Sequence, residues 1–275
     1  MLKLGDKSYP LCLLDTCAVS EMIKQPDKYL VNFLGWSQQT EPSYIAAFSV
    51  FTLMELRRKP ELFAQFVETF KDVPAVILRG MDELLDDEIS HYPDPSSIPP
   101  VGLALTPFGG EGNKIENLPG ILNGHSKLVA GWEAGIDSAL EGMTSLIDNY
   151  LPDGDAYSKA DRDRFLLIVV TQHLGFHNMD FARGVLEGGE AIDLDAFPSV
   201  KTLAYTVWHK FYVNRDRKAQ RSDVFDVLIS TALPYVEAVV TEAHLAEALH
   251  QVQNQDGFLG DLKILTLRDL RTKSS

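Results

Sequence analysis

Apolar and polar residues alternate along this chain in two rhythms. Short, mostly apolar runs of four to six residues predict buried strands. They fall at 11–15, 45–50 (Ile-Ala-Ala-Phe-Ser-Val), 75–78, 237–241 and 263–267. Between them, apolar residues recur at helical spacing, as Leu62, Phe63, Phe66, Val67 and Phe70 do within 61–70. Helices are predicted over 18–36, broken near Gln25-Pro26, and over 51–58, 61–70, 223–233 and 243–252. Ser222 is the expected N-cap of helix 223–233, with Asp223 and Asp226 suiting the helix dipole. Strands that alternate with helices imply a parallel sheet covered on both faces.

The middle of the chain breaks this pattern. Between Tyr92 and Gly124, prolines 93, 95, 99, 100, 107 and 119 join six glycines, which predicts long irregular chain. Helical patterns return at 127–150, 159–174 and 196–213, while 176–192 is ambiguous. The expected organisation is one domain with its core at 10–84 and 216–268. A mainly helical insertion occupies 85–215, with its irregular part at 92–124.

At 275 residues, the chain is long enough for one large domain with an insertion. It is 45% hydrophobic and 23% charged, as ordinary globular proteins are. No apolar run approaches the roughly 20 residues of a membrane helix, and Leu11–Leu14 is too short for a secretory signal. Cys12 and Cys17, the only cysteines, suit a reducing cytoplasm and suggest no zinc spacing. A net charge of −14 argues against coating nucleic acid by bulk electrostatics. It leaves room for a nuclease whose carboxylates hold divalent cations.

The candidate chemistry is acidic. Asp15 ends the first buried strand, at the sheet edge where ligands of open α/β folds bind. Glu55 lies in the helix after the second strand, Asp223 and Asp226 share one helix face, and Glu242 follows the fourth strand. Two carboxylates ~4 Å apart repel by about 4 kcal/mol at an effective dielectric near 20. A convergent set therefore calls for a cation, and magnesium or manganese suits hard oxygen ligands. Bland roles compete at each position. Asp15 suits a helix cap, Glu55 a solvated charge, Asp223 and Asp226 the helix dipole, and Glu242 a first helical turn. Thr16 and Thr241, beside Asp15 and Glu242, suit either metal-bound waters or capping.

A basic stretch from His209 to Arg221 contains Lys210, Arg215, Arg217, Lys218 and Arg221 against Asp216, with Phe211 and Tyr212 interleaved. Phosphate contact and base stacking use those residue types, and so does a solvated helix end. Arg57, Arg58 and Lys59 form a weaker basic group. His173 and His177 stand at i, i+4 without an acidic partner in the sequence. A haloacid-dehalogenase-type phosphatase is disfavoured, because its second acid would fall at Cys17.

Four segments, in order, resemble the PIN domain family: Leu-Leu-Asp15-Thr, Ser-Val-Phe-Thr-Leu-Met-Glu55-Leu, Asp226-Val-Leu-Ile-Ser-Thr-Ala-Leu and Val-Val-Thr241-Glu242. The resemblance covers residues 10–80 and 220–268. It implies a Rossmann-like three-layer α/β/α sandwich with a central parallel sheet. It also implies magnesium- or manganese-dependent ribonuclease activity at an acidic pocket beyond the strand ends. Asp15, Glu55, Asp226 and Glu242 would then hold the metal, with Asp223 as helper or competitor. Glu242 stands where the family usually has Asp, and the middle insertion departs from the compact family pattern.

The expected partner is an RNA substrate, met through Thr16, Thr241, Lys210, Arg215, Arg217, Lys218 and Arg221. An antitoxin-like protein partner and a homodimer are further partner expectations. The rival expectation is a non-catalytic PIN-like module that binds RNA or protein.

Overall fold

The computed structural model describes residues 1–105, 113–149, 158–187, 192–213 and 218–270. The chain divides into two compact units. The sheet unit comprises Met1–Arg79, Pro100–Glu133 and Tyr235–Ser275, and the helical unit comprises Gly80–Pro99 and Ala134–Pro234. The helix Arg221–Ser230 groups with the helical unit, whereas the expected organisation assigns it to the core.

A small antiparallel hairpin, β1 (Leu2–Leu4) and β2 (Lys7–Tyr9), opens the chain. The main sheet follows with β3 (Leu11–Leu14), β4 (Ile45–Ser49), β5 (Ala75–Leu78), β6 (Val101–Ala104), β7 (Ala238–Thr241) and β8 (Lys263–Thr266). Its order is β6-β5-β4-β3-β7-β8. Every pairing is parallel except the antiparallel edge strand β6. The class is therefore α/β with a mostly parallel six-stranded sheet.

Residues on both faces of β3 are buried, which is why Leu11-Cys12-Leu13-Leu14 is a continuous apolar run rather than an alternating one. Cys12, Leu14, Ala46, Phe48 and Val240 share a core with Phe33, Phe66 and Phe70. Phe48 meets Phe66 and Phe70 edge-on, with ring centroids 5.1 and 5.3 Å apart. The chain runs from β3 outward through β4 to β5, then returns to place β7 on the other side of β3 and β8 beyond it. Val19 and Met22, Phe33, Leu53 and Phe66, from the helices between β3 and β5, join one core cluster with the sheet.

Several elements differ from their predicted form. The Pro- and Gly-rich stretch holds β6, which pairs with β5, and the helix Leu118–Gly124. The ambiguous 176–192 contains the helix Met179–Glu187. The helix expected at 223 begins at Arg221, because Gln220 rather than Ser222 is its N-cap. Asp223 accepts a 2.8 Å hydrogen bond from the Gln220 N–H, and its own N–H donates to the Gln220 carbonyl at 2.9 Å.

Within the helical unit, Lys159–His177 packs against Pro198–Trp208. Phe197, at the cap of the latter helix, has no side-chain capping group. Buried Glu88 supplies one from a distant helix: it accepts 2.8 Å hydrogen bonds from both the N–H and the hydroxyl of Ser199. Among the described residues no helix is long and apolar enough to cross a membrane.

Candidate active site at the sheet switch point

The sheet reverses its winding direction between β3 and β7, and the crevice outside the carboxyl ends of these strands is where such folds bind ligands. Asp15 stands there as the residue after β3. It caps the helix Thr16–Lys24, its Oδ1 accepting a 2.6 Å hydrogen bond from the Ala18 N–H. Its Oδ2 accepts from the Thr241 hydroxyl at the end of β7 and from the Glu242 N–H at 3.2 Å. Three donors thus compensate the burial of this carboxylate, which is 6% exposed. An acid at an N-cap suits both the orphan N–H groups and the helix dipole.

Glu242 occupies the N-cap position of Ala243–Asp256 but makes no side-chain capping bond there, and it is exposed. The third candidate acid in the sheet unit, Glu55, is half-buried on the helix Val50–Arg57, which springs from β4 next to β3. Cys17 registers the local field. Partial burial of its sulfur, then the charges of Asp15, Glu242 and Glu21, push its thiol up to about 11. Cys12 is pushed up much further by complete burial.

Two buried hydroxyls at this edge lack a hydrogen-bond partner: Thr16 Oγ1 beside Asp15 and Thr52 Oγ1 in the first turn after β4. Buried polar groups are normally satisfied by protein or ordered water, so these two call for a bound water or ligand. Thr16 is among the predicted site residues. Thr52 is not; the readable signal was a threonine directly inside a helix start at a strand's carboxyl end.

Asp223 and Asp226 lie together in the helical unit, and Lys210 joins them. Its Nζ is 3.1 Å from Asp223 Oδ1 and 2.5 Å from Asp226 Oδ2. Lys210, expected at the surface as a phosphate contact, is buried together with His209, Phe211 and Tyr212 in the π-helical turn His209–Val213. The sequence signal for that burial is the apolar run around it, from Val207 to Val213. Arg221 pairs with Asp137 at 3.2 Å, and Lys218 is exposed. Arg215 and Arg217 lie outside the described residues. Arg57 hydrogen-bonds Asn123 at 3.1 Å.

His177 does have an acidic partner, because its Nε2 is 2.8 Å from Asp86. His173 Nδ1–H donates to the Val169 carbonyl at 2.9 Å, and burial holds its pKa below the usual histidine range. Among the described residues, no group of three or more His, Cys, Asp or Glu side chains could hold a metal ion. Magnesium, however, commonly takes one or two carboxylates and keeps waters. Asp15 and Glu242 are carboxylates directly after the adjacent strands β3 and β7, and the Thr16 hydroxyl beside Asp15 is unsatisfied. Asp223 and Asp226 already share one ammonium, that of Lys210.

Thr241→Val removes the hydroxyl that orients Asp15. If Asp15 holds manganese, the loss of such an outer partner weakens binding about 10–100-fold, read by calorimetry. An unchanged affinity would show that Asp15 needs no bracing.

Compared with protein-family models, with curated proteins and with solved structures, the chain matches none.

Proposed function

We propose that this protein is a PIN-like, magnesium- or manganese-dependent nuclease acting on RNA, with its metal acids at the β3–β7 switch point. The observation that carries this reading is Asp15, buried at the carboxyl end of a central strand and braced by Thr241 and the Glu242 N–H. Asp15 is the central metal acid. Glu242 and Glu55 would be its companions in holding the ion, and the Thr16 hydroxyl would be free to orient a water. The ion, when bound, polarises a phosphoryl oxygen and lowers the pKa of the attacking water. Asp15 keeps one carboxylate geometry throughout, because both its oxygens are tied to the backbone or to Thr241. Lys218, with Arg215 and Arg217, is the candidate phosphate-binding stretch. The setting is a reducing cytoplasm, in which Cys12 and Cys17 stay thiols.

A second reading is a PIN-like module that binds RNA or protein without cleaving it. It draws on the engagement of Asp223 and Asp226 by Lys210, which withdraws two acids from metal binding. Manganese calorimetry on the full chain separates the two. The nuclease reading expects saturable binding at millimolar metal or below, and an absence of heat at that concentration favours the binding module.

A further inference from the structure

We infer that the Lys210 ammonium is the resident cation of the Asp223–Asp226 pair, so that no divalent ion takes that place. The inference concerns the helical unit by itself, and rests on the nuclease reading only in where the ion binds instead, at Asp15. Asp223 and Asp226 are one helical turn apart on one face, where like charges repel. A cation between them relieves that repulsion, and the chain supplies its own. Lys210 is 2% exposed and Asp223 is fully buried. The ammonium reaches Asp223 Oδ1 at 3.1 Å and Asp226 Oδ2 at 2.5 Å, while Asp223 Oδ2 accepts from the Gln220 N–H at 2.8 Å.

The lysine is also held from behind. The π-helical turn His209–Val213 inserts its wider winding directly after the helix Pro198–Trp208, and such turns often mark functional positions. Tyr212 in that turn stacks on Trp208, with centroids 5.0 Å apart, and meets Phe165 at 4.9 Å. Its hydroxyl donates to the Leu146 carbonyl at 3.1 Å. With the turn packed this way, the lysine stem is not an arm swinging in solvent. A divalent ion entering between the two carboxylates would evict the ammonium into a buried setting without its partners. A buried charge that loses its partner is strongly unfavourable.

Amine labelling with acetic anhydride, resolved by residue with mass spectrometry on the full chain, tests this directly. Lys210 is expected to react about tenfold or more slowly than exposed Lys218, since labelling needs local opening. Millimolar manganese is expected to leave that rate unchanged. A manganese-induced rise of about tenfold, with the circular dichroism intact, shows an ion displacing the lysine and overturns the inference. Fast labelling of Lys210 in metal-free protein overturns it too, whatever calorimetry finds. A second arm uses Asp226→Asn, expected to bind manganese with the stoichiometry of the wild-type chain. Loss of a binding equivalent in a folded Asp226→Asn protein places the ion at Asp226 and sinks the inference. If the wild-type chain binds no manganese while Lys210 stays slow, the nuclease reading fails and the resident cation stands.

Discussion

Lys210→Met is expected to lower the melting temperature by roughly 10 °C. The substitution keeps most of the stem's volume and removes only the ammonium. Asp223, fully buried, and Asp226 are then left facing each other without a counter-ion. Breaking a buried pair from one side costs about 3–5 kcal/mol. In a protein of this size each kcal/mol moves the midpoint by about 2–4 °C. The sharper comparison is the triple variant Lys210→Met, Asp223→Asn, Asp226→Asn. Removing all three charges together is expected to restore much of the loss, because whole ion triads are often replaceable at little cost. Thermal unfolding followed by circular dichroism reads both. A single variant as stable as the wild type would mean that the two acids find another partner, and the triad would lose its structural importance.

Asp15→Asn is expected to reduce manganese-stimulated RNA cleavage by at least about 100-fold, since even outer partners of metal ligands are worth 10–100-fold. The fold is expected to survive. Asparagine is as good an N-cap as aspartate, so its carbonyl oxygen still accepts from the Ala18 N–H. The amide nitrogen, placed where Oδ2 was, cannot accept from the Thr241 hydroxyl or the Glu242 N–H. The hydroxyl can rotate away, but the Glu242 N–H cannot, and one unmade hydrogen bond costs about 1–3 kcal/mol. The pattern to look for is therefore a modest drop in stability beside a large drop in cleavage. Undiminished cleavage by a folded Asp15→Asn protein would remove Asp15 from the chemistry and the proposed nuclease with it.

Much of the sheet was readable from local pattern. The run Leu11–Leu14 is apolar at every position because the strand is buried on both faces, and Asp15 follows it as a cap because an acid suits a helix start. The helix 60–70 begins at Pro60, whose fixed backbone suits a first turn, and its apolar spacing marks the buried face of Phe63, Phe66 and Phe70. Where local signals misled, long-range pairing or a competing cap was responsible. Val101-Gly102-Leu103-Ala104 sits among prolines and glycines and looks irregular. It becomes a strand only because β5 offers its open edge. Ser222 looks like the better cap, yet the reciprocal bonding of Gln220 and Asp223 starts the helix earlier. Lys210 reads as a phosphate contact in a basic stretch, because its charge is visible in sequence while the packing of Phe165, Trp208 and Tyr212 around its turn is not.

The amino-acid order by itself determined the alternation of strands and helices, the parallel class of the sheet, and an acid at the end of its first buried strand. Those features depend on periodicity and caps a few residues long. Tertiary structure alone decided which acids have which partners. Thr241 reaches Asp15 across 226 positions because β7 lies beside β3, an order of strands that no local propensity encodes. It also decided that Asp223 and Asp226 face an ammonium rather than open solvent, since a charge's partner depends on what folding buries next to it.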